Sequence, residues 1–215
     1  MSAVSYDVFL SEVMPYVHDV PELVAIQAVR NACIEFCEET RYLQVDSDAQ
    51  TAVAGQADYD LEADTGYVCC DLVEAWAGDQ LLIPKSVEEI TKIYRANDWR
   101  QMTGNPYYYF RTTSQVVTLV PKPSTTEAAK LKFRIAIAPS RASTTITSEL
   151  FERFLEQIAY GARARLYNTP GQPYYDPKTA EIYLKRFNDA IAEVRTRVNK
   201  GLSRASIAIE FQRFA

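Results

Sequence analysis

The clearest pattern in the chain is an apolar stripe with helical spacing in its last third. Apolar residues recur every three or four positions after Ser148, which predicts an amphipathic helix. The stripe consists of Leu150, Phe151, Phe154, Leu155, Ile158, Ala159, Ala162 and Leu166. The sequence Asn168-Thr169-Pro170-Gly171 ends this helix, because Pro cannot continue it and Gly accepts a left-handed turn.

A second amphipathic helix is predicted to begin at Asp176, with Pro177 in its first turn. Its apolar stripe consists of Ala180, Tyr183, Leu184, Phe187, Ile191, Val194 and Val198. Gly201 stands where a glycine commonly closes a helix. Because a connection of about eight residues suits antiparallel neighbours, the two stripes predict a helical hairpin that serves as the scaffold.

The N-terminal region carries two more helical patterns. Residues Ser5 to Val13 predict a short amphipathic helix that ends before Pro15. Its apolar side consists of Val8, Phe9, Val13 and Met14. Acidic residues and a Pro in Asp19-Val20-Pro21-Glu22 mark the start of a longer helix that reaches about Tyr42. The residues of this helix predicted to face a core are Leu23, Ile26, Val29, Cys33, Phe36 and Cys37.

The middle of the chain, from Gln44 to about Pro139, has β-type alternation instead of a helical period. Three hairpins are predicted, over residues 51–61, 68–83 and 107–120, and one more strand over residues 131–138. The sequence Ser86-Val87-Glu88-Glu89 fits a capping box, which predicts a helix that extends to Arg95.

These segments predict an α+β fold. The N- and C-terminal helices form a helical bundle, a small antiparallel β domain is inserted between them, and an extended C-terminal arm follows. The expected boundaries are N-terminal helices at residues 1–43, the β-rich insertion at 44–139, the helical hairpin at 140–201 and the arm at 202–215.

The arm, LSRASIAIEFQRFA, has the period of a β-strand. One face of the predicted strand carries Ala205, Ile207, Ile209 and Phe211, and the other carries Ser206, Ala208, Glu210 and Gln212. A lone strand after a terminal helix pairs with a sheet edge or a groove, either in its own subunit or on a partner protein. If the strand binds a partner protein, as the resemblance given below implies, the residues expected to contact the partner are Ile207, Ile209, Phe211 and Phe214.

The composition is that of a globular protein without a membrane span. Apolar residues make up 47% and charged residues 24% of the 215 positions, and no apolar run reaches the length of a bilayer helix. The N-terminus lacks the basic start and apolar block of a secretory signal, so we expect synthesis and retention in the cytoplasm. We therefore expect four reduced cysteines in core or interface positions, without zinc, at Cys33, Cys37, Cys69 and Cys70.

The net charge of −5 conceals an uneven distribution along the chain. Residues 1–100 contain 19 acidic and 6 basic residues, whereas residues 101–215 contain 9 acidic and 17 basic residues. Two halves of opposite sign suit head-to-tail assembly or docking between two different partners. An equally good interpretation is a chance distribution over solvated faces.

Motifs for enzyme chemistry are absent from the sequence. There is no G-x-G-x-x-G or G-x-x-x-x-G-K-[ST] phosphate loop and no G-x-S-x-G nucleophile elbow. The single histidine, His18, lies beside Asp19 without a neighbouring Ser or Cys, which favours a surface or capping role. We therefore predict no catalytic residue, no cofactor and no metal ion.

An acidic segment between Asp46 and Asp64 is predicted to be a solvated loop. Its alternating carboxylates at Asp58, Asp60 and Glu62 lack the order of a calcium-binding EF-hand loop. If the protein surrounds DNA, these three carboxylates have a second interpretation. Negative charge that faces a channel repels phosphates and prevents the duplex from adhering.

Fourteen tyrosines are another unusual feature, with clusters at residues 107–109 and 174–175. Arg111 is the basic residue closest to the first cluster, and the protein as a whole is acidic. A role in the core or at a subunit interface is therefore favoured over the stacking of single-stranded nucleic acid.

Several of these segments resemble tailed-bacteriophage head-to-tail adaptor proteins, the ring proteins beneath the portal. The segments that carry the resemblance are Ile158–Leu166, Pro170–Tyr174 with Asp176, Tyr183–Phe187, Val20–Glu22, Ala32–Glu38 and Gly104–Tyr108. The resemblance covers most of the chain and consists of structural residues without a catalytic signature.

The resemblance implies a structural, non-enzymatic protein of the virion at the head–tail junction. It implies a homomeric ring, dodecameric as in the family, that extends the channel for double-stranded DNA. It also implies that the C-terminal arm binds the portal protein and that tail, nozzle or neck proteins attach below. Two alternatives remain: another neck or tail-tube component, and a small hydrolase or nucleotide-modifying enzyme with a pocket in the β domain.

Overall fold

The structure is a computed structural model that describes residues 2–94 and 98–201. These residues form two compact units. The helical unit contains the described residues up to Tyr42 and from Thr144 onward, and the β unit contains Leu43–Ser143. Helices and mainly antiparallel strands occur together, so the predicted α+β class is confirmed.

The helices of the described residues are a 3₁₀ helix at Tyr6–Glu12, α1 at Glu22–Thr40, α2 at Val87–Tyr94, α3 at Ser148–Tyr167 and α4 at Pro177–Asn199. The strands are β1 Ala3–Ser5, β2 Gln44–Asp46, β3 Gln50–Ala52, β4 Asp58–Asp60, β5 Tyr67–Ala77, β6 Gln80–Leu81, β7 Ile83–Pro84, β8 Thr103–Gly104, β9 Tyr108–Thr113, β10 Val116–Val120, β11 Lys122–Pro123, β12 Glu127–Pro139 and β13 Thr145–Thr147.

The N-terminal segment differs from the prediction in its type of helix. Ser5 is the last residue of β1, which pairs with β13, and the turn that follows is a 3₁₀ helix instead of an α-helix. Phe9 and Val13 are buried as expected, and the ring of Phe9 meets the edge of Phe151 at 5.4 Å between centroids. Met14, which was predicted to lie on the apolar side of this helix, is exposed.

Helix α1 begins directly after Pro21, as the sequence predicts, and it ends at Arg41 with a left-handed backbone. Its buried face includes Cys33, Phe36 and Cys37. The prediction that Leu23 faces the core is wrong, because its side chain is 80% exposed. At about 100° per residue, Leu23 lies on the side of α1 away from Phe36.

Helices α1, α3 and α4 pack against one another in the helical unit. The ring of Phe36 lies 4.9 Å from Phe154 of α3 and 6.5 Å from Phe187 of α4, measured between centroids. Gly161 permits this packing, since a Cβ atom there would lie 2.9 Å from Phe187 Cε2 and 3.0 Å from Ala32 Cβ. A small residue at the crossing point therefore sets the separation of the three helices.

The predicted helical hairpin corresponds to α3 and α4. Asp176 caps α4, because its carboxylate accepts hydrogen bonds from the backbone N–H groups of Lys178 and Thr179. Helix α4 is followed by Gly201, which has a positive φ of 64°. Phe187 is buried as predicted, but Leu184 is 46% exposed and does not belong to the buried face.

The β unit contains two larger sheets. The first has the strand order β2-β12-β5-β6, with β3 also paired to β12. The second has the order β4-β10-β9-β7, and α2 packs near it through Ile90, which contacts Trp99 and Val120. The long antiparallel pair of β12 and β5 supplies the buried centre of the first sheet, with Leu131, Phe133 and Ile135 among its buried residues.

Two of the three predicted hairpins are confirmed. Strands β5 and β6 form one of them, and β9 and β10 form the other. The predicted hairpin over residues 51–61 is wrong, because β3 pairs with β12 and β4 pairs with β10 in a different sheet. Partners that are distant in sequence decide the pairing of these two short strands.

Candidate functional site

The four arm residues predicted to bind a partner lie outside the described residues. They are Ile207, Ile209, Phe211 and Phe214. Their role in binding a partner therefore stays a prediction.

The acidic residues Asp58 and Asp60 lie on strand β4, so the prediction of a loop is wrong for them. The strand forms because Tyr59 is buried between them and because β4 pairs with β10. The carboxylate of Asp58 accepts a hydrogen bond from Thr118 Oγ1 at 2.5 Å. Asp60 and Glu62 are exposed, as is Asp58, so this edge of the sheet presents three carboxylates to solvent.

These carboxylates are not arranged as a metal site. Within residues 2–94 and 98–201, no group of three or more His, Cys, Asp or Glu residues is placed to hold a metal ion. What the arrangement supplies is negative surface charge along β4 and the residues that follow it.

A cluster of tyrosines and arginines in the helical unit joins α3, α4 and the N-terminal segment. We name it the tyrosine–arginine patch, and it consists of Tyr16, Tyr160, Arg163, Tyr167, Tyr183 and Arg186. At its centre the guanidinium of Arg163 lies 3.6 Å from the ring centroid of Tyr16 and 5.2 Å from that of Tyr183. These are distances at which a cation is attracted by an aromatic face.

Arg163 is almost fully buried, with a relative exposure of 3%. Its Nε donates to the backbone oxygen of Glu12 at 2.7 Å, and its Nη2 lies 3.1 Å from the Glu12 carboxylate. Burial of a charge is costly unless it is paired and hydrogen-bonded, and Glu12 meets both requirements. The N-terminal segment is thereby fastened to α3.

The tyrosine rings of the patch are stacked. Tyr183 of α4 lies between two rings of α3, with centroid distances of 5.9 Å to Tyr160 and 6.0 Å to Tyr167. Arg186 lies over Tyr160 and Tyr183, at 5.6 Å and 5.8 Å from the ring centroids. The hydrogen bond from Tyr160 to Glu156 raises the pKa of this phenol, and burial raises the pKa of Tyr167. Both phenols therefore act as neutral hydrogen-bond donors.

Helical spacing builds the patch from the sequence. Tyr160, Arg163 and Tyr167 are three and four residues apart on α3, which places them on one side of the helix. Tyr183 and Arg186 are three residues apart on α4 and face them. In the sequence, Tyr183 belongs to the predicted apolar stripe of α4, and the patch was not predicted. The matched spacing of Tyr and Arg on the two predicted helices is the signal that could have indicated it.

The two tyrosine clusters noted in the sequence divide between core and surface. Tyr109 and Tyr174 are buried, whereas Tyr107 is 44% and Tyr175 is 45% exposed. The guanidinium of Arg111 forms an ion pair with Asp71 at 2.7 Å and also donates to two backbone oxygens. Arg111 is therefore already bound within the β unit.

The cysteines are free thiols in the structure. Burial raises the pKa of the Cys33 and Cys69 thiols, which keeps them protonated and poorly reactive. His18 is exposed at the surface.

The enzyme alternative requires a pocket in the β unit, and a cleft of about 460 Å³ lies there. Its charged residues form ion pairs with each other, Lys85 with Glu89 at 2.9 Å and Arg111 with Asp71 at 2.7 Å. Ser86 and Glu89 also line this cleft, and they form the capping box of α2, in which Glu89 N–H donates to Ser86 Oγ and Ser86 N–H donates to Glu89 Oε2.

The described residues combine packed helices with a β unit inserted between them in sequence, and they carry clusters of charged and aromatic side chains. A family model described as SU10 adaptor protein matches residues 4–208, so the chain belongs to this family of phage adaptor proteins. The resemblance to head-to-tail adaptors is thereby confirmed. A search of curated proteins gave no match to this chain.

The family is a structural one and not a class of enzymes, and a phage adaptor is a component of the virion. In the part of the chain that the structure describes, no helix combines the length and the apolar character needed to cross a bilayer.

Proposed function

We propose that the protein is the head-to-tail adaptor of a tailed bacteriophage. In this proposal, copies of the chain form a homomeric ring beneath the portal. The ring is dodecameric, as in the family that the chain resembles, and it extends the DNA channel. Its lower side gives the tail, nozzle or neck proteins a platform for attachment at the head–tail junction. The observation that carries the proposal is the family match over residues 4–208, which includes both units and half of the arm.

The helical unit is suited to a ring wall. Helices α1, α3 and α4 contain 19, 20 and 23 residues, which correspond to lengths of about 30 Å at about 1.5 Å per residue. Their shared core contains the fully buried residues Phe36, Ile158 and Phe187, so the unit is well packed. A rigid wall allows each copy to present a fixed surface to its neighbours.

The arm is the proposed anchor on the portal. Fourteen residues in extended form reach about 45 Å at about 3.3 Å per residue, far enough to cross onto a second protein. Its alternating apolar face suits the addition of a strand to a sheet of the portal, where backbone hydrogen bonds supply affinity and side-chain pockets supply specificity.

The decisive experiment is capture of the chain by the portal protein from the same genome. We expect the full-length chain to bind assembled portal rings and a chain ending at Leu202 to lose binding. Equal binding by both chains would support the adaptor proposal and would show that the arm is not the anchor on the portal. If neither chain binds, the adaptor proposal itself is wrong.

A second pair of variants separates the face of the arm from its length. Ile207→Asp with Phe211→Asp places charge on the apolar face, and we expect portal binding to be lost. Ala208→Asp with Gln212→Asp makes similar changes on the opposite face and should leave binding intact. Similar losses in both variants would contradict anchoring through a single strand face, and surface plasmon resonance on immobilised portal rings measures the difference.

The acidic residues of the β unit are proposed to face the channel. If Asp58, Asp60 and Glu62 repel passing DNA, then Asp60→Lys with Glu62→Lys should make assembled complexes retain linear duplex DNA. The retention should weaken steeply as salt rises, because phosphate contacts release counterions. Asp79→Lys, at an exposed turn of the same unit, is the control. Gel-shift assays measure the retained DNA. If the double variant retains no more DNA than the Asp79→Lys control, the carboxylates do not face the channel.

A further inference from the structure

We propose that a gap between two strands of the β unit holds the C-terminal arm of a second copy until that copy binds the portal. We call this space the strand gap, and it lies between residues 67–74 of β5 and residues 110–113 of β9. The inference rests on the proposed function, in which the arm is the anchor on the portal. It adds the place where the arm is kept before the portal takes it.

A short segment, residues 80–85, lies between β5 and β9 and joins the two larger sheets. On one side, β6 pairs with the end of β5, and Leu82 N–H donates to Ala75 O at 2.8 Å. On the other side, β7 pairs with the start of β9, and Lys85 N–H donates to Tyr109 O at 2.9 Å. The segment therefore occupies the position of a strand between β5 and β9.

This segment ends before its two neighbours do, because the chain turns into α2 after Lys85. Strand β5 is antiparallel to β6 and β9 is parallel to β7, so both strands continue past Lys85, toward Tyr67 and Thr113. Among the described residues, the pairings of β5 on this side stop at Trp76, and those of β9 stop at Tyr109. One missing strand corresponds to about 10 Å, two strand spacings of about 4.8 Å each. The cleft of about 460 Å³ lies at this place.

The side chain of Arg111 crosses the strand gap from β9 to β5. Its Nη1 donates to Cys70 O at 3.1 Å and to Asp71 Oδ1 at 2.7 Å. It thereby gives β5 a hydrogen bond of the kind that the N–H groups of an added strand supply. The Nε of the same guanidinium is buried and has no hydrogen-bond partner in the part of the chain that the structure describes. Because a buried donor without an acceptor costs free energy, a backbone carbonyl that enters the gap would be stabilised there.

The walls of the cleft favour recognition through backbone bonds and apolar contacts. Leu72 and Tyr109 are buried in these walls, and Val87 lies at the cleft with an exposed side chain. The charged residues of the cleft are paired with each other, Lys85 with Glu89 and Arg111 with Asp71, so neither sign of charge predominates. Such a site suits an extended segment with one apolar face.

The arm has the pattern that this site requires. Ile207, Ile209 and Phe211 alternate with Ala208 and Glu210, so a strand formed by the arm has one apolar face. A strand of this pattern pairs readily with other chains when it is left uncovered. A second copy is the source that is always present, since each copy brings one arm and one gap, and the exchange of such elements between copies is a common route to association.

A binding experiment with the arm as a peptide tests the inference. A labelled peptide of residues 202–215 is titrated with the chain that ends at Leu202, and fluorescence anisotropy measures the binding. We expect saturable binding that Ala208→Pro in the peptide weakens about tenfold or more, because Pro removes a backbone N–H of the added strand. Ser203→Pro, which lies outside the apolar alternation, should leave the binding unchanged.

A matched pair of variants on α2 tests the gap itself. Val87→Trp places a large ring in the cleft, and we expect it to weaken peptide binding about as much as the Ala208→Pro change. Ile93→Trp, at an exposed position of the same helix that does not line this cleft, is the control and should bind the peptide normally. Circular dichroism establishes that both variants are folded. Hydrogen exchange should show added protection of residues 67–74 and 110–113 when the peptide is bound.

The full-length chain provides the last readout. It should self-associate in sedimentation experiments, the chain that ends at Leu202 should remain monomeric, and assembled portal rings should dissociate the full-length oligomers. Absent peptide binding, or equal binding by both α2 variants or by both Pro peptides, would overturn the inference. Capture of the full-length chain by the portal does not involve the gap. A chain that the portal captures but whose arm peptide leaves the gap empty therefore rejects this inference alone, and the adaptor function stands.

Discussion

At the scale of single residues, position matters more than chemical type in this protein. Leu23 and Leu184 are apolar residues in predicted stripes, yet both are exposed, whereas the charged residue Arg163 is buried. Arg163 tolerates burial because Glu12 supplies a carbonyl and a carboxylate and because tyrosine rings surround its guanidinium. Sequence patterns give hydrophobicity, but they do not give the partner that makes burial of a charge possible.

Gly161 gives the sharpest prediction at this scale. Gly161→Ala would improve helix propensity, but its Cβ would lie within 3.0 Å of Ala32 and Phe187, so the helices must move apart. We expect a net loss of about 1–3 kcal/mol in the free energy of unfolding. Urea denaturation measures this loss, with the exposed α3 variant Glu152→Ala as the control. A variant as stable as the wild type would mean that the helices can move apart at Gly161 without a loss of stability.

At the scale of secondary-structure elements, the sequence correctly predicted the features that depend on contacts between residues close together in the chain. The capping box at Ser86 is confirmed, with Glu89 N–H donating to Ser86 Oγ at 3.2 Å and Ser86 N–H donating to Glu89 Oε2 at 3.0 Å. The hairpins of β5 with β6 and of β9 with β10 follow from their own turns. The pairing of β3 and β4 could not be predicted this way, because β12 and β10 lie about 60 or more residues away.

Helix α2 should respond to acid through Glu89. The hydrogen bond from the Ser86 backbone, followed by that from Lys85, lowers the pKa of the Glu89 carboxyl to about 2. A lowered pKa in the folded state means that the carboxylate stabilises the helix start above about pH 4.5, its ordinary value, and that this contribution disappears as pH falls toward 2.

NMR titration with amide exchange along α2 tests this expectation. Intrinsic amide exchange slows in acid, so the quantity to follow is the protection factor, the ratio of intrinsic to observed exchange rate. The protection factors of the first-turn amides should fall between about pH 4.5 and 2 in the wild type. Glu89→Gln keeps an amide oxygen as an acceptor but cannot titrate, so its protection factors should show no such step. Glu88→Gln at the neighbouring exposed position should behave like the wild type. A titration of Glu89 at its ordinary pKa would contradict the capping geometry.

At the scale of the whole molecule, the sequence predicted the α+β class, which the structure confirms. The change from a period of 3.6 to a period of 2 near residue 44 was sufficient for this. The candidate sites were less predictable. The acidic residues were found but assigned to a loop, and the tyrosine–arginine patch was missed because it joins α3, α4 and the N-terminal segment.

The β unit is expected to fold by itself. It has its own buried core, and its first residue is tied to its longest strand through a hydrogen bond from Ile137 N–H to Leu43 O at 2.9 Å. Residues 43–143 expressed alone should therefore give cooperative thermal unfolding and a β-rich circular dichroism spectrum. A gradual transition would show that this unit needs the helical residues to fold.

The position of the β unit within the chain has a mechanical consequence. Both of its ends continue into the helical unit, at Tyr42–Leu43 and at Ser143–Thr144. The residues before and after it are joined by β1 with β13, by Glu12 with Arg163 and by Glu39 with Arg195. Tension applied to the two chain termini passes through these contacts, and the β unit carries none of it until they break. A subunit pulled between its N-terminus and its C-terminal arm would therefore fail in its helical unit first, while the sheets of the β unit stayed intact.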